Sequence, residues 1–307
     1  MESYADRLVK SIDEKGNPCI VGLDPRLDQM PDFSISEDKH CSEAVSSSIT
    51  EYHRTIIDAV RDIVPGLKLQ IAFYEQYGLA GMEAFYETVR YAKKNGLIVI
   101  VDAKRNDIAS TAQAYASAFL GRSSIFGNDE PIIDADCMTV SPYLGRDSIE
   151  PFVDACARYG KGIFILAKTS NPGSADLQDL EAGKERKRIY LHVAGMVNAY
   201  ADKLIGSSGY SSIGAVVGAT FPEEAKALRR LMPKSIFLVP GYGAQGGTAL
   251  SAAACFNKDG YGAVVSASRI LTYGFAKDTT KKQFIEGVRS RTEAMAKDIK
   301  EAIGAKG

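Results

Sequence analysis

Leu97-Ile98-Val99-Ile100-Val101-Asp102-Ala103-Lys104-Arg105-Asn106-Asp107-Ile108 is the stretch that decides how this chain folds. Its first five residues form an unbroken apolar run after Gly96, which predicts a buried parallel strand. Side chains alternate across a strand, so Asp102 and Lys104 point the same way at its C-terminal end. Asp107 follows just past the strand, where a helix begins. Two carboxylates and an ammonium within six residues are costly to place at the end of a hydrophobic strand. Taken alone, the triple reads equally well as a solvated strand end with an ordinary ion pair. The rest of the chain decides between the two.

Working outward, one unit recurs. Tyr4 to Lys15 has helical spacing (Leu8, Val9, Ile12) and stops at Gly16-Asn17-Pro18. Cys19 to Leu23 reads as a buried strand ending in Asp24-Pro25-Arg26. A polar loop follows, then a long amphipathic helix from about Cys41 to Ile63. Leu67 to Phe73 is a second strand, with Lys68 set among apolar residues, and a helix from about Gly81 to Lys94 leads into the quoted stretch. Ala109 to Leu120 is helical and Gly121 to Glu130 is loop. Further strand-like runs fall at Asp136 to Val140, Gly162 to Ala167, Ile213 to Val217, Ser235 to Val239 and Ala263 to Ser266. Helical stretches separate nearly all of them, at Ser148 to Arg158, Arg186 to Leu204, Pro222 to Leu231 and Thr248 to Phe256. A last helix runs from about Lys281 to Ile303. Eight apolar runs, each followed by a helix or a helix-sized gap, predict an α/β fold with a closed (β/α)8 barrel, the TIM barrel. A doubly wound open sheet is the alternative. No low-complexity linker divides the chain, so residues 1–307 are read as one barrel domain. Arg26 to His40, Gly121 to Pro131 and Gly173 to Lys184 read as loop insertions on it.

Composition narrows the function classes. With 307 residues, 45% of them hydrophobic, a sizeable core is assured; a net charge of −1 offers no bulk attraction to nucleic acid or a membrane surface. The cysteines (Cys19, Cys41, Cys137, Cys156, Cys255) form no CxxC pair, and His40, His53 and His192 lie far apart, so no zinc-type spacing exists. Reduced thiols and structural or solvated histidines are the expectation. The N-terminus lacks a signal-peptide core and no apolar run reaches membrane-spanning length, so a soluble cytoplasmic protein is expected.

Catalytic groups of a barrel collect at the C-terminal ends of its strands. Here those ends carry Asp24, Lys68 (within its strand), Asp102 with Lys104, Lys168-Thr169-Ser170, Pro240 onward and Ser268-Arg269. Gly241-Tyr242-Gly243-Ala244-Gln245-Gly246-Gly247 follows the seventh strand and opens onto a helix. Its backbone N–H groups suit a dianion, and Arg269, after the eighth strand, offers a guanidinium fork to the same anion. Loops seven and eight are the usual phosphate corner of such a barrel. Taken singly, Thr111 also reads as an ordinary helix residue, Ser170 as a turn former and Tyr242 as a surface residue.

Together these residues resemble orotidine 5′-phosphate decarboxylase in its longer bacterial-type form. The resemblance rests on Asp24, Lys68, the D-x-K-x-x-D-I-x-x-T run from Asp102 to Thr111, and Ser170-Asn171-Pro172-Gly173. It also rests on Pro240 to Gly247 and Arg269. These markers span strand one to strand eight in order. One departure is visible: Ser268 stands where many members have glycine before the phosphate arginine. The resemblance implies conversion of orotidine 5′-phosphate to uridine 5′-phosphate (UMP) and CO2 in de novo pyrimidine synthesis, without metal or organic cofactor. Lys68, Asp102, Lys104 and Asp107 would be the catalytic set, Lys104 standing beside C6 and donating a proton. Asp24 and Lys68 would contact the ribose hydroxyls, Ser170 the pyrimidine amide edge, and Gln245 with Arg269 the phosphate. Pro240 would begin the loop that closes over the ligand, and a backbone N–H at Ser268 would serve the phosphate. The family also implies a homodimer in which Asp107 and Thr111 reach the neighbouring subunit's site.

Two other readings are carried forward. One is a metal-dependent sugar-phosphate lyase of the same barrel superfamily, which shares the D-x-K-x-x-D run; by resemblance it uses an acidic metal ligand on strand two, where this chain has Lys68. The other is a non-catalytic nucleotide-phosphate-binding barrel, which would be expected to have lost one of the four charged residues.

Overall fold

The computed structural model describes residues 1–37 and 42–305; His40, Cys41 and the predicted helix start at Cys41 lie outside them. Eight parallel strands form a closed barrel in chain order: β1 Cys19–Leu23, β2 Gly66–Gln70, β3 Ile98–Arg105, β4 Cys137–Val140, β5 Gly162–Lys168, β6 Ser211–Val217, β7 Ser235–Val239 and β8 Ala263–Ala267. β8 closes on β1 with Cys19 opposite Val265. The barrel expected from the alternation of apolar runs and helical spacings is therefore the fold, and the open sheet is not.

Several segments differ from their sequence reading; Arg186 to Arg188, read as a helix start, precede the helix, and Lys187–Arg188 pair with Glu181–Ala182 instead. β2 stops at Gln70 rather than Phe73, because the chain turns at Ile71 into a short helix, Ala72–Glu75. β3 runs on past Val101 to Arg105, so the polar residues belong to the strand itself. Residues 121–130, read as loop, contain an antiparallel hairpin of Ser123–Ile125 with Asn128–Glu130. Its turn places Phe126 and Gly127 at positive φ, the combination that suits a tight hairpin.

The core has two layers, as strand alternation requires. Inside the barrel Ile20, Ile98, Ile100, Phe164, Val216 and Leu238 meet Tyr4 and Leu8. Outside it, residues of opposite parity such as Val21, Leu67 and Val101 pack against the helices. Tyr4 and Leu8 belong to the helix α1, Tyr4–Lys15, which plugs the N-terminal mouth. Tyr4 stands edge-on to Phe164, and a Cβ on Gly162 would lie 2.2 Å from its ring, so only glycine fits there. Arg7 pairs with Asp136 and donates to the Gly160 carbonyl at 3.0 Å; Asp136 in turn accepts from the Val99 N–H at 2.9 Å. With the lower mouth sealed, only the C-terminal mouth is left for a ligand. Among the described residues no helix is long and apolar enough to cross a membrane.

His53 is fully buried on the helix α2, Ser42–Val60, with Nδ1 3.1 Å from Tyr74 Oη and 3.3 Å from Thr88 Oγ1. Burial pushes it down to about 3, so it is a neutral structural residue. The unfolded chain takes up a proton near pH 6.5, well before the folded one does. His53 therefore contributes full stability above that pH and loses it as pH falls towards 3. In urea titrations at pH 7 and pH 4.5 the wild type should lose more stability than His53→Gln; equal losses would assign the acid lability to other groups. His192 is solvated, and Cys19, Cys137, Cys156 and Cys255 are buried.

Candidate active site

The upper mouth holds a cavity of about 640 Å³ lined from all around the barrel, by residues of β2 to β8 and by Asp24 just past β1. Its centre is set by an irregularity in β3. Val101 pairs with Met138 of β4, and Arg105 pairs with Val140, so four steps on β3 face two on β4. The surplus residues, Asp102-Ala103-Lys104, bulge at the rim, and Lys104 takes φ +49°. A left-handed lysine costs on the order of 1 kcal/mol, the kind of strain that functional sites hold. Thr139 offsets it: its hydroxyl accepts from the Lys104 N–H at 2.9 Å and donates to Asp102 Oδ1 at 2.9 Å.

Asp102 is nearly buried, and both its oxygens are saturated. Oδ1 takes Lys104 Nζ at 2.6 Å and Thr139; Oδ2 takes Lys68 Nζ at 3.2 Å and Gln70 Nε2 at 2.9 Å. Burial alone would raise its carboxyl, but Lys68, Lys104 and these hydrogen bonds outweigh burial and hold it far below the ordinary carboxylate range. Lys68 shows the converse. Burial would lower its ammonium, yet Asp102 and Asp24 together hold it above the usual lysine value. Both groups are thus charged at neutral pH, each stabilised by the other. Gln70 and Thr139 went unread in the sequence, since neutral residues at strand ends give no charge signal.

Asp24 follows β1, its carbonyl accepting from the Tyr273 hydroxyl. Its Oδ1 lies 4.0 Å from Lys68 Nζ and is buried without a hydrogen-bond partner among the described residues. Ser268 is accommodated by β1: a Cβ on Gly22 would lie 1.9 Å from Ser268 Oγ and 3.0 Å from its Cβ. Arg269 and Gln245 are exposed at the cavity wall, and Arg269 has no acidic partner among the described residues. Tyr242, read as a surface residue, instead lines the cavity and anchors its loop, donating to Asp298 at 2.7 Å. Ser170 lines the wall beside Gly241, and Pro240 starts the loop that Gly241 continues.

Of the residues singled out in the sequence, Asp24, Lys68, Asp102, Lys104, Ser170, Pro240, Gln245, Ser268 and Arg269 share this cavity. Asp107 and Thr111 do not. Asp107 accepts from the N–H of Ile108, and Thr111 is exposed on the helix Ala109–Phe119. Lys168 is also absent from the lining; it ends β5 on the other face, buried against Asp179. Among the described residues no three His, Cys, Asp or Glu side chains group as metal ligands.

Residues 20–274 match the model of the Orotidine 5′-phosphate decarboxylase / HUMPS family. The chain is 42% identical over 310 residues to an orotidine 5′-phosphate decarboxylase of Caldicellulosiruptor bescii, covering 99% of each chain. It is 44% identical over 308 residues to one of Rhodopirellula baltica, covering 98% of this chain and 100% of that one. Among solved structures, a Leishmania donovani OMP decarboxylase superposes with a TM-score of 0.73 at 30% identity, over 98% of this chain and 99% of the other. The saturated carboxylate between two lysines thus sits in a barrel whose relatives share it end to end, and the chain belongs to the Orotidine 5′-phosphate decarboxylase / HUMPS family.

Proposed function

We infer that the chain is a carboxy-lyase that converts orotidine 5′-phosphate to UMP and CO2, a step of pyrimidine nucleotide synthesis. The observation that carries this reading is the Lys68–Asp102–Lys104 array, two ammonium groups around one ionised carboxylate, with Arg269 on the same cavity wall. Heterolysis of the bond between C6 and the carboxylate leaves the electron pair on C6, with no conjugated acceptor for it. Lys104 stabilises that charge by proximity and then transfers its proton to C6, giving UMP. Asp102 faces the departing carboxylate, fixed there by its four donors. Lys68 keeps Asp102 ionised. The unpartnered Asp24 oxygen suits a ribose hydroxyl, which supplies the donor it lacks. Ser170 reads the pyrimidine amide edge, while Gln245, Arg269 and the backbone at Ser268 hold the phosphate. The loop from Pro240 closes over it.

A metal-dependent lyase is disfavoured by charge. A divalent cation between Asp24 and Asp102 would have to displace the ammonium of Lys68, which lies 4.0 Å from one and 3.2 Å from the other. The test is the absorbance of orotidine 5′-phosphate mixed with purified protein in excess EDTA. Loss of the substrate band is the expected result; a stable band that reappears as activity on adding a divalent metal would favour the lyase reading.

The active unit is a homodimer of one-domain barrels, acting in the cytoplasm. What supports the dimer is where Asp107 lies: outside its own chain's cavity, on a rim bearing Ile108 (54% exposed), Tyr143 (76%) and Leu144 (47%). The two rim loops are tied by Asn106 donating to Ser148 at 2.8 Å. A second copy covering that rim would carry Asp107 and Thr111 into its neighbour's site. Mixing inactive Lys104→Ala with inactive Asp107→Ala should then restore roughly a quarter of wild-type activity, from mixed dimers with one intact site. No recovery, with subunit exchange verified, would place Asp107 outside the neighbour's site.

A further inference from the structure

Lys168 is fully buried at the end of β5, a costly place for an ammonium unless its partners are close. Its Nζ donates to both oxygens of Asp179 at 2.8 Å and to Ser174 Oγ at 3.2 Å, and lies 4.5 Å from the Phe221 ring. Asp179 and Ser174 both belong to the segment inserted after β5, residues 172–188. That segment's own secondary structure is short: one 3-10 turn, the four-residue helix Ala175–Gln178 and a hairpin with two residues per strand. It returns to the end of β5 through the next residue back. Gln178 Oε1 accepts from the Thr169 N–H at 3.0 Å, and its Nε2 donates to Thr169 Oγ1 at 2.8 Å. Thr169 Oγ1 donates in turn to Asn171 Oδ1 at 2.7 Å. Ser170 is held between these two tied residues, with its carbonyl accepting from Thr220 Oγ1 at 3.0 Å.

Buried ion pairs contribute little net stability compared with apolar replacements, but they demand one arrangement of the chain around them. This pair fixes where the inserted segment sits, and the amide of Gln178 passes that placement to the residue preceding Ser170. Among the described residues Gln245 and Arg269, on the phosphate side of the cavity, form no hydrogen bond or ion pair with Lys168, Gln178 or Asp179, although Gln245 and Ser170 both border Gly241. We propose that Lys168, Asp179 and Gln178 are positioning residues that hold Ser170 against the pyrimidine edge, so that the inserted segment sets affinity for the base and not for the phosphate. This rests on the reading of Ser170 as the base-contacting residue.

The experiment compares inhibition constants of UMP and of ribose 5-phosphate, which keeps the phosphate and lacks the base. It uses the wild type, Ser170→Ala, Gln178→Ala and Lys168→Met. Gln178→Ala and Lys168→Met should weaken UMP roughly tenfold, about the loss of one hydrogen bond to the base, and shift ribose 5-phosphate less than about twofold. Unchanged UMP affinity in Gln178→Ala, or equal weakening of both ligands, overturns the proposal. Gln178 is partly exposed, so it decides the matter should Lys168→Met fail to fold. If Ser170→Ala is selective for UMP and Gln178→Ala is not, the clasp alone is wrong. If Ser170→Ala leaves UMP unchanged, the base reading of Ser170 falls and the clasp falls with it.

Discussion

Lys104→Ala should lower turnover by a factor of about 10⁴ or more while UMP still binds. The size follows from two duties resting on one ammonium. Proton transfer by a placed side chain is worth about 10²–10⁴, and a preorganised charge at a developing anion about 10²–10³. Both vanish with the amine. Nucleotide binding persists, because the groups read as holding phosphate and ribose (Arg269, Gln245, Asp24) lie elsewhere on the cavity wall. The remaining array also survives, since Asp102 keeps Lys68, Gln70 and Thr139 as donors. Lys104→Arg retains charge but holds its proton too tightly to release it, so it should recover little. Substrate absorbance gives the rate and equilibrium titration gives the UMP affinity. Activity of Lys104→Ala within tenfold of the wild type would remove Lys104 from the chemistry.

Removing the phosphate from the substrate should be comparably damaging. Orotidine keeps the reacting carboxylate and the base but offers nothing to Arg269, Gln245 or the loop from Pro240. A charge-assisted hydrogen bond contributes about 1.5–3 kcal/mol, and three of them about 4.5–9 kcal/mol. If that energy is expressed in the transition state through loop closure, kcat/KM for orotidine falls by roughly 10³–10⁶, with part of the loss in kcat. Arg269→Ala should narrow the gap between the two substrates by damaging only the phosphorylated one. Equal efficiency of orotidine and its phosphate would show that the loop's closure does not depend on the dianion.

Most of this architecture was legible in the order of residues, for physical reasons that also mark where legibility stopped. Parallel barrel strands are buried on both faces, so runs such as Cys19 to Leu23 and Ser235 to Val239 announce themselves and their bounds are met. Charged groups at strand ends are conspicuous because water-excluded charge is costly, which exposed Lys68, Asp102 and Lys104 together. Periodicity could not show that β3 continues through Asp102 to Arg105, because a bulge breaks the alternation on which the signal depends. Gln70 and Thr139 were invisible for want of charge. Lys168 shows the opposite error: a charge at the right strand end, carried off the face that Leu166 presents to the cavity by the register shift between Leu166 and Lys168. Phe126-Gly127 made a hairpin out of a stretch whose exposed side chains carry no burial pattern.

The contact between Gly22 and Ser268 has a historical consequence. Two neighbouring strand ends divide one methyl-sized space, and whichever residue fills it first restricts the other. A lineage with alanine at 22 could not accept serine at 268 by rotating the hydroxyl alone, since the serine Cβ would remain 3.0 Å from the new methyl. Glycine at 22 must come first, and once Ser268 is in place the reverse change at 22 is barred. Serine at 268 is thus permitted from across the barrel seam, by the absence of a side chain at Gly22.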